Sequence, residues 1–152
     1  MIELIKVQEN ELEFLREMQI RAFAELLEKY QDYDNNPGAE SIEKIRKRFN
    51  HPNGTYFFIT DDGLKVGVIH IYVRQDGWKR ISPIFVDPDF RNKGYAQKAM
   101  LLAEELFGKE HWSLDTVKEE KSLCYLYEKM GYHQVGKETK ISDIQTLVEY
   151  EK

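Results

Sequence analysis

The segment Val86-Asp87-Pro88-Asp89-Phe90-Arg91-Asn92-Lys93-Gly94-Tyr95-Ala96 joins a predicted strand to a predicted helix. The strand is an apolar run that ends before Pro88, because proline has no N–H to donate to a sheet. The helical pattern extends from about Lys93 to Phe107, with small and apolar residues on one face. Gly94 and Ala96 are small, which predicts a close approach of a bulky ligand to the backbone where this helix begins.

The charges of this helix run against its dipole. Helices are stabilised by acidic residues near the N-terminus and basic residues near the C-terminus. Here Arg91, Lys93 and Lys98 crowd the beginning, whereas Glu104 and Glu105 lie near the end. Each misplaced charge costs roughly 0.3–1 kcal/mol, and an anion held by the free N–H groups of the first turn would offset that cost. The pattern predicts either a phosphate site or a solvated turn whose basic residues only aid solubility.

On both sides of this segment the hydrophobic pattern alternates between strands and helices. The predicted strands lie at about 2–7, 55–60, 64–73, 78–86, 112–117, 132–139 and 145–151, and the predicted helices at about 12–30, 39–49, 93–107 and 119–130. Hairpins joined to strand–helix–strand units indicate an α/β (α+β) protein with a mixed sheet and helices on its faces. Residues 1–152 are expected to form a single domain.

Composition narrows the classes of function. The net charge of −5 gives no support for nucleic-acid binding. No apolar run approaches the ~20 residues that span a bilayer, and no apolar signal segment follows Met1. Cys124 is the single cysteine, which excludes an internal disulfide and fits a reducing compartment. We therefore expect a cytoplasmic protein with neither nucleic acid nor membrane as a partner.

Two motifs carry a resemblance to a known family. The segment from Val86 to Ala96 resembles the central motif of the GCN5-related N-acetyltransferase (GNAT) superfamily, a strand exit followed by [RQ]-x-x-G-x-[GA], with Arg91 and Gly94 at defined positions. Leu126-Tyr127-Glu128-Lys129-Met130-Gly131-Tyr132 resembles the L-Y-E-K-x-G-[FY] segment of the same family. The resemblance implies the GNAT fold: a mixed, mostly antiparallel central sheet of six to seven strands, flanked by about four helices, with a splay between the fourth and fifth strands.

The resemblance also implies an activity. A GNAT N-acetyltransferase uses acetyl-CoA as its acyl-donor cosubstrate, and a primary amine of a small molecule, peptide or protein attacks the acetyl carbonyl directly in a ternary complex. The strand end Ile84, Phe85 and Val86 is expected to hold the pantetheine arm. The residues expected around the pyrophosphate are Arg91, Asn92, Lys93, Gly94, Tyr95, Ala96, Gln97 and Lys98. No metal site is expected, because the four histidines are dispersed without ligand spacing.

Tyr127 lies where many relatives place the general acid that protonates the departing CoA thiolate. A phenol of pKa ~10 is protonated at neutral pH and can donate that proton. A core tyrosine that only covers the cofactor would also explain the position. One position departs from the family: an Asn is often found seven residues before this tyrosine, and here that residue is Glu120. No role is assigned to Glu120 on the sequence alone.

The residues that would bind the acceptor amine are less clearly marked in the sequence than those expected around the cofactor. The segment from Tyr30 to Asp34 lies where relatives shape the acceptor pocket, so Tyr30, Tyr33 and Asp34 are the expected substrate-binding residues. Its acidic and aromatic side chains favour a cationic amine, such as a polyamine, an amino sugar or a lysine side chain, unless the segment is only a solvated loop. The candidate general bases are Glu25, Asp32, Asp34, His70 and Tyr72. Cys124 is interpreted as a packing residue and not as a nucleophile.

Two other functions remain open. The same fold could hold acyl-CoA as a non-catalytic sensor or regulatory module, or the anion site could take a different phosphorylated ligand. The sequence does not indicate an oligomeric state. By analogy with relatives that are dimers, the chain could form a homodimer, and residues 144–150 could contribute to the contact.

Overall fold

The computed structural model describes residues 1–152 and contains seven strands and four α-helices. The strands are β1 (Ile2–Lys6), β2 (Gly54–Asp61), β3 (Leu64–Val73), β4 (Lys79–Val86), β5 (Trp112–Val117), β6 (His133–Lys140) and β7 (Thr146–Glu151). The helices are α1 (Leu12–Tyr30), α2 (Ile42–Phe49), α3 (Tyr95–Phe107) and α4 (Lys121–Lys129). None of the helices combines the length and the apolar character that crossing a membrane requires.

All seven strands form one sheet in the order β1-β2-β3-β4-β5-β7-β6. Every neighbouring pair is antiparallel except β4 and β5, which are parallel. These two strands pair only where Lys79 faces Trp112 and Arg80 faces Ser113, and then they diverge. The predicted fold is confirmed, including the sheet type, the helix number and the splay between the fourth and fifth strands.

The two faces of the sheet carry separate cores. Successive side chains of a strand point to opposite faces, so Phe57 and Ile59 of β2 pack with residues of α3 and α4. Tyr56 and Phe58 pack on the other face with residues of α1 and α2. The sheet is therefore a middle layer between two pairs of helices, and a gap between β4 and β5 is bordered by elements of both layers.

Several helices begin later than the hydrophobic pattern predicts. The third helix was expected from about Lys93 and begins at Tyr95, because Asn92 (φ 63°) and Gly94 (φ 77°) have left-handed backbone that a right-handed helix cannot include. The second begins at Ile42 and not near Ala39, since the Ser41 hydroxyl caps it by accepting a hydrogen bond from the N–H of Lys44 at 3.2 Å.

The C-terminal strands are arranged in a way that limits their use in a dimer. β7 lies between β5 and β6, so the backbone on both of its sides is already paired. β6 is the edge of the sheet, and most of its side chains are exposed. A homodimer contact through residues 144–150 stays a prediction, and it would have to use β6 or the exposed Ile144 beside β7.

Candidate functional site

A cavity of about 710 Å³ lies where β4 and β5 diverge. Its walls are the open part of β4, the facing part of β5, the beginning of α3, one side of α4, and α1 with the loop that follows it. At the narrow end the guanidinium of Arg80 pairs with the carboxylate of Asp115 at 2.9 Å and bridges the two strands. The divergence of two parallel strands therefore opens a cleft in the middle of the sheet.

The loop before α3 presents free backbone donors to this cavity. The N–H groups of residues 92–97 have no hydrogen-bond acceptor in the protein, and no side chain caps the helix. Asn92 and Gly94 are both left-handed, which curls the loop so that successive N–H groups can converge on one anion. A Cβ at Gly94 would meet no protein atom within 4 Å, so its positive φ is the reason that glycine is required there.

The basic side chains of this region do not all face the cavity. Arg91 lines it, but its guanidinium donates to the carbonyl of Ala22 in α1 at 2.5 Å. Lys93 lies over the ring of Phe90, 5.8 Å from its centroid, and neither Lys93 nor Lys98 lines the cavity. Arg91, one of the basic residues at the beginning of α3, therefore ties this region to α1. The groups that could hold an anion directly are the free backbone N–H groups.

The other expected cofactor residues line the cavity. Ile84, Phe85 and Val86 form its β4 wall, where the strand has lost its β5 partner and can offer backbone groups to a ligand. The loop residues Asn92, Gly94, Tyr95, Ala96 and Gln97 form one end. The hydroxyl of Tyr95 donates to Asp61 at the end of β2 at 2.6 Å, which fixes the beginning of α3 against the sheet.

Tyr127 lies on α4 and lines the same cavity. The residue is 7% exposed, and its ring packs against Tyr132 and Tyr150 at centroid distances of 6.2 and 6.3 Å. Burial, with a smaller effect of Cys124, raises the pKa of Tyr127 to about 12. Its hydroxyl is therefore protonated at neutral pH and is available as a donor.

Glu120 joins two walls of the cavity. Its carboxylate accepts hydrogen bonds from the hydroxyl of Tyr30 at 2.5 Å and from Lys29 at 2.8 Å, which ties the end of α1 to the beginning of α4. Burial is the largest single influence and raises the pKa of Glu120, but the hydrogen bonds from Lys29 and Tyr30 and the charge of Lys29 together outweigh it, so the pKa is lowered. Glu120 is thus an ionised carboxylate on the cavity wall, where relatives often have a neutral Asn.

Asp32 lies just after α1 and lines the cavity between Tyr30 and Asn35. The helix ends because Gln31 adopts a left-handed conformation (φ 56°), and this turns the chain inward. Oδ1 of Asp32 accepts from the backbone N–H and the side chain of Asn35, both at 3.1 Å. Oδ2 is buried and has no hydrogen-bond partner, and the same is true of the side-chain oxygen of Gln145, which also lines the cavity.

The acceptor residues expected from the sequence separate into two places. Tyr30 lines the cavity, whereas Tyr33 and Asp34 line a shallow depression of about 280 Å³ beside Lys44. The left-handed Gln31 and the turn at Asp32 direct the two parts of this segment differently. No helical or strand periodicity marks such a reversal, so the sequence could not distinguish Asp32 from Asp34.

The candidate general bases also lie in different places, and only some of them line the cavity. Glu25 and Asp32 line the cavity, and His70 and Tyr72 do not. His70 lies under α2 on the other core, where its Nδ1 donates to the carbonyl of Ser82 at 3.1 Å. Tyr72 packs against His51 with a centroid distance of 5.0 Å. The alternation of β3 directs both side chains away from the cleft.

Several residues that line the cavity belong to no motif or periodic pattern in the sequence. They come from the loop after α1, from β5 and from the turn before β7, and they include Asn35, Asn36, Pro37, Thr116, Gln145 and Leu147.

Cys124 is buried, does not line the cavity, and has its sulfur 3.7 Å from two backbone carbonyls. Groups of three or more His, Cys, Asp or Glu side chains that could hold a metal ion are not found.

The chain is similar to known proteins both in sequence and in fold. The model of the acetyltransferase (GNAT) family matches residues 12–132. The ribosomal-protein-S18-alanine N-acetyltransferase of Escherichia coli is 16% identical, with a TM-score of 0.74 over 99% of this chain and 92% of that one. Spermidine N-acetyltransferase from Vibrio cholerae, in complex with CoA and spermine, is 15% identical, with a TM-score of 0.75 over 98% and 93%.

A third solved structure has a similar fold. The acetyltransferase of Salmonella typhimurium that modifies the N-terminal serine of ribosomal protein L7/L12 is 12% identical, with a TM-score of 0.75 over 99% of this chain and 94% of that one. No curated protein matches the sequence. At these identities the solved structures establish the shared fold, and the family model establishes the relationship.

Proposed function

Because the chain belongs to the acetyltransferase (GNAT) family, we propose that it transfers the acetyl group of acetyl-CoA to a primary amine by direct attack in a ternary complex. One observation carries this proposal. The free N–H groups at the beginning of α3 open onto the same cavity that contains Tyr127 and the open part of β4. An acyl-CoA requires donors for its phosphates and a free strand edge for its pantetheine arm. Its departing thiolate requires a nearby proton donor, and the cavity has all three.

The cofactor is assigned to the cavity from its chemistry. The pyrophosphate would accept hydrogen bonds from the N–H groups of residues 92–97, where the positive end of the α3 dipole adds to the attraction. The pantetheine amides would pair with the open edge of β4, at Ile84 to Val86. This arrangement directs the thioester into the gap between β4 and β5, beside α4.

In the reaction the amine nitrogen forms a bond to the acetyl carbon, and the carbon–sulfur bond breaks to release a thiolate. A hydrogen bond from the hydroxyl of Tyr127 would stabilise that thiolate. The pKa of Tyr127 is about 12, and an ordinary thiol has a pKa of about 8.5. Full transfer of the proton from Tyr127 to such a thiolate is therefore uphill by roughly 5 kcal/mol. Tyr127 therefore acts first as a hydrogen-bond donor, and it loses its proton only where burial also raises the pKa of the thiol.

The attacking amine must lose a proton before it reacts, since an alkylammonium has a pKa of ~10.4. The ionisable acids nearest to the acceptor end of the cavity are Asp32 and Glu120. Glu120 already accepts from Lys29 and Tyr30, so its role is to hold α1 against α4 and to keep a negative charge on the wall. A water chain that leads to solvent would complete proton removal.

The proposal is tested in two steps. Isothermal titration calorimetry with acetyl-CoA measures cofactor binding, which is expected to be micromolar or tighter. Release of free CoA thiol is then followed across a panel of primary amines, with the acetylated product identified by mass spectrometry. Binding together with turnover of at least one amine supports the transferase.

The outcomes separate the alternatives. Tight acetyl-CoA binding without turnover of any amine, peptide or protein acceptor would favour the acyl-CoA-binding sensor. No acetyl-CoA binding, together with binding of another phosphorylated compound, would assign the loop before α3 to a different ligand.

A further inference from the structure

The carboxylate of Asp32 is an unusual group in this cavity because half of it has no partner. The residue is 7% exposed, and Oδ2 is buried without a hydrogen bond. No lysine or arginine forms an ion pair with it. Burying an acceptor without a donor costs about 1–3 kcal/mol, and more for a charged group. A donor supplied by a ligand would remove this cost.

The turn around Asp32 holds the carboxylate in place. Oδ1 accepts two hydrogen bonds from Asn35, and the backbone N–H of Asn36 donates to the carbonyl of Asp32 at 2.9 Å. The side chain is therefore fixed through Oδ1, and only Oδ2 lacks a hydrogen-bond partner. This geometry is a rigid acceptor on the cavity wall and differs from a mobile surface acid.

The two ends of the cavity differ in charge. At one end, Ala22 of α1 contacts Arg91 in the loop before α3. At the other end, Tyr30 contacts Glu120. Tyr30 follows Ala22 by eight positions, which corresponds to roughly 12 Å along α1. The end beyond Tyr30 carries the carboxylates of Asp32 and Glu120, and only Lys29 pairs with either of them.

We propose that Asp32 anchors a second cationic group of the acceptor, so that the enzyme selects amines that carry two positive charges over monoamines and amino acids. The inference rests on the proposed acetyl transfer. One ammonium group of the acceptor donates to Oδ2 of Asp32, and the other amine, once deprotonated, faces the thioester. Asp32 is a specificity-determining residue in this scheme and takes no part in bond making.

The test uses acceptors of one chain length that differ only at the far end. Putrescine has an ammonium there, butylamine a methyl group and γ-aminobutyrate a carboxylate. Spermidine is added as a longer cationic acceptor. For the wild-type chain we expect kcat/KM to be at least about tenfold higher for putrescine or spermidine than for butylamine, and lowest for γ-aminobutyrate; tenfold corresponds to 1.4 kcal/mol.

The informative variant is Asp32→Asn. The amide keeps the Oδ1 acceptor for Asn35 and removes only the charge, so the turn and the affinity for acetyl-CoA should be retained. We expect KM for the cationic acceptors to rise about tenfold, with butylamine kinetics unchanged. Glu28→Gln is the matched control, because Glu28 is an exposed acid of α1 outside the cavity, and it should leave all acceptors unaffected.

Each result bears on a different claim. If butylamine is acetylated as efficiently as putrescine, the transferase stands and the cationic anchor is wrong. If Asp32→Asn lowers kcat equally for every amine, Asp32 serves the chemistry or the fold, and the specificity role is overturned. If none of these four amines is acetylated but another acceptor of the wider panel is, the transferase stands and the cationic anchor is wrong. Only acetyl-CoA binding without transfer to any amine, peptide or protein contradicts the proposed function itself.

Discussion

Tyr127 illustrates how burial sets what one side chain can do. The residue lines the cleft, and its ring packs against Tyr132 and Tyr150. The desolvation that raises its pKa to about 12 also guarantees that the hydroxyl keeps its proton throughout the working pH range of the enzyme. A group of this kind stabilises an anion without titrating in competition with the substrate.

We therefore expect Tyr127→Phe to lower kcat by about 10²-fold, the lower range for a positioned proton donor. The affinity for acetyl-CoA should be unchanged, since the ring remains. Because a pKa of about 12 keeps Tyr127 protonated, the ratio of wild-type to variant kcat should stay constant between pH 7 and 10. Steady-state kinetics across that range measures it.

Tyr125→Phe provides the control, because Tyr125 is on the same helix, is 69% exposed and lies outside the cavity. It should behave as wild type. Full activity of Tyr127→Phe would return Tyr127 to the role of a residue that only covers the cofactor.

At the level of elements, the beginning of α3 is the feature on which the proposed cofactor binding depends. A left-handed glycine ends the preceding loop, and the first-turn N–H groups then point into the cleft without a side-chain cap. Ties from Tyr95 to Asp61 and from Arg91 to Ala22 hold this turn between β2 and α1. These two contacts hold the turn in place without a ligand, which would reduce the entropy cost of binding an anion there.

Gly94→Ala is expected to destabilise the fold by about 1 kcal/mol, because alanine resists positive φ. It should also weaken acetyl-CoA binding at least tenfold. A shift of the loop that breaks one hydrogen bond to phosphate loses about 1.5–3 kcal/mol. Urea unfolding and calorimetry measure the two effects separately.

Gly63→Ala is the matched control. Gly63 has φ 85° and, like Gly94, has open space where a Cβ would lie, but it is in the β2–β3 hairpin. A similar loss of stability with unchanged acetyl-CoA affinity is expected. Equal loss of affinity in both variants would mean that the loop before α3 has no special part in binding.

For the whole molecule, the sheet separates the cleft from a second core that contains a buried polar network. In that core Arg48 pairs with Glu40 at 2.8 Å and donates to Tyr56, whose ring lies 4.5 Å from that of His70. Nδ1 of His70 donates to Ser82, and Nε2 is buried with no partner. Burial, helped by the charge of Arg48, lowers the pKa of His70 to about 4.

A lowered histidine pKa makes the folded state bind fewer protons than the unfolded chain between pH 4 and 6.5. Stability then rises with pH in that window and is lost as pH falls. From pH 7 to 5 the contribution of His70 to the free energy of unfolding should fall by about 2 kcal/mol. Urea unfolding at several pH values should show this slope in the wild type and a shallower one in His70→Gln.

His133→Gln tests whether the slope is specific, because His133 is exposed on the edge strand β6. It should keep the wild-type slope. An unchanged slope in His70→Gln would mean that His70 is not the group that loses stability on acidification.

Local pattern was sufficient for much of this protein. The unbroken apolar run Tyr56, Phe57, Phe58 and Ile59 is typical of a strand buried on both faces, and burial on both faces requires a layer of helices on each side. The segment around Gly94 marks a strand exit and the start of a helix. These features depend on residues a few positions apart, and side-chain periodicity encodes them directly.

The tertiary structure alone decided which polar side chains share the cleft. Arg91 meets Ala22 across 69 positions of the chain, and Tyr30 meets Glu120 across 90. The left-handed Gln31 turns Asp32 inward while Tyr33 and Asp34 line another depression. Neighbours in a loop have no fixed period, so their directions follow from the packing of distant elements. Local pattern was therefore enough to predict the fold and to single out the loop before α3, whereas packing decided which side chains line the cavity beside it.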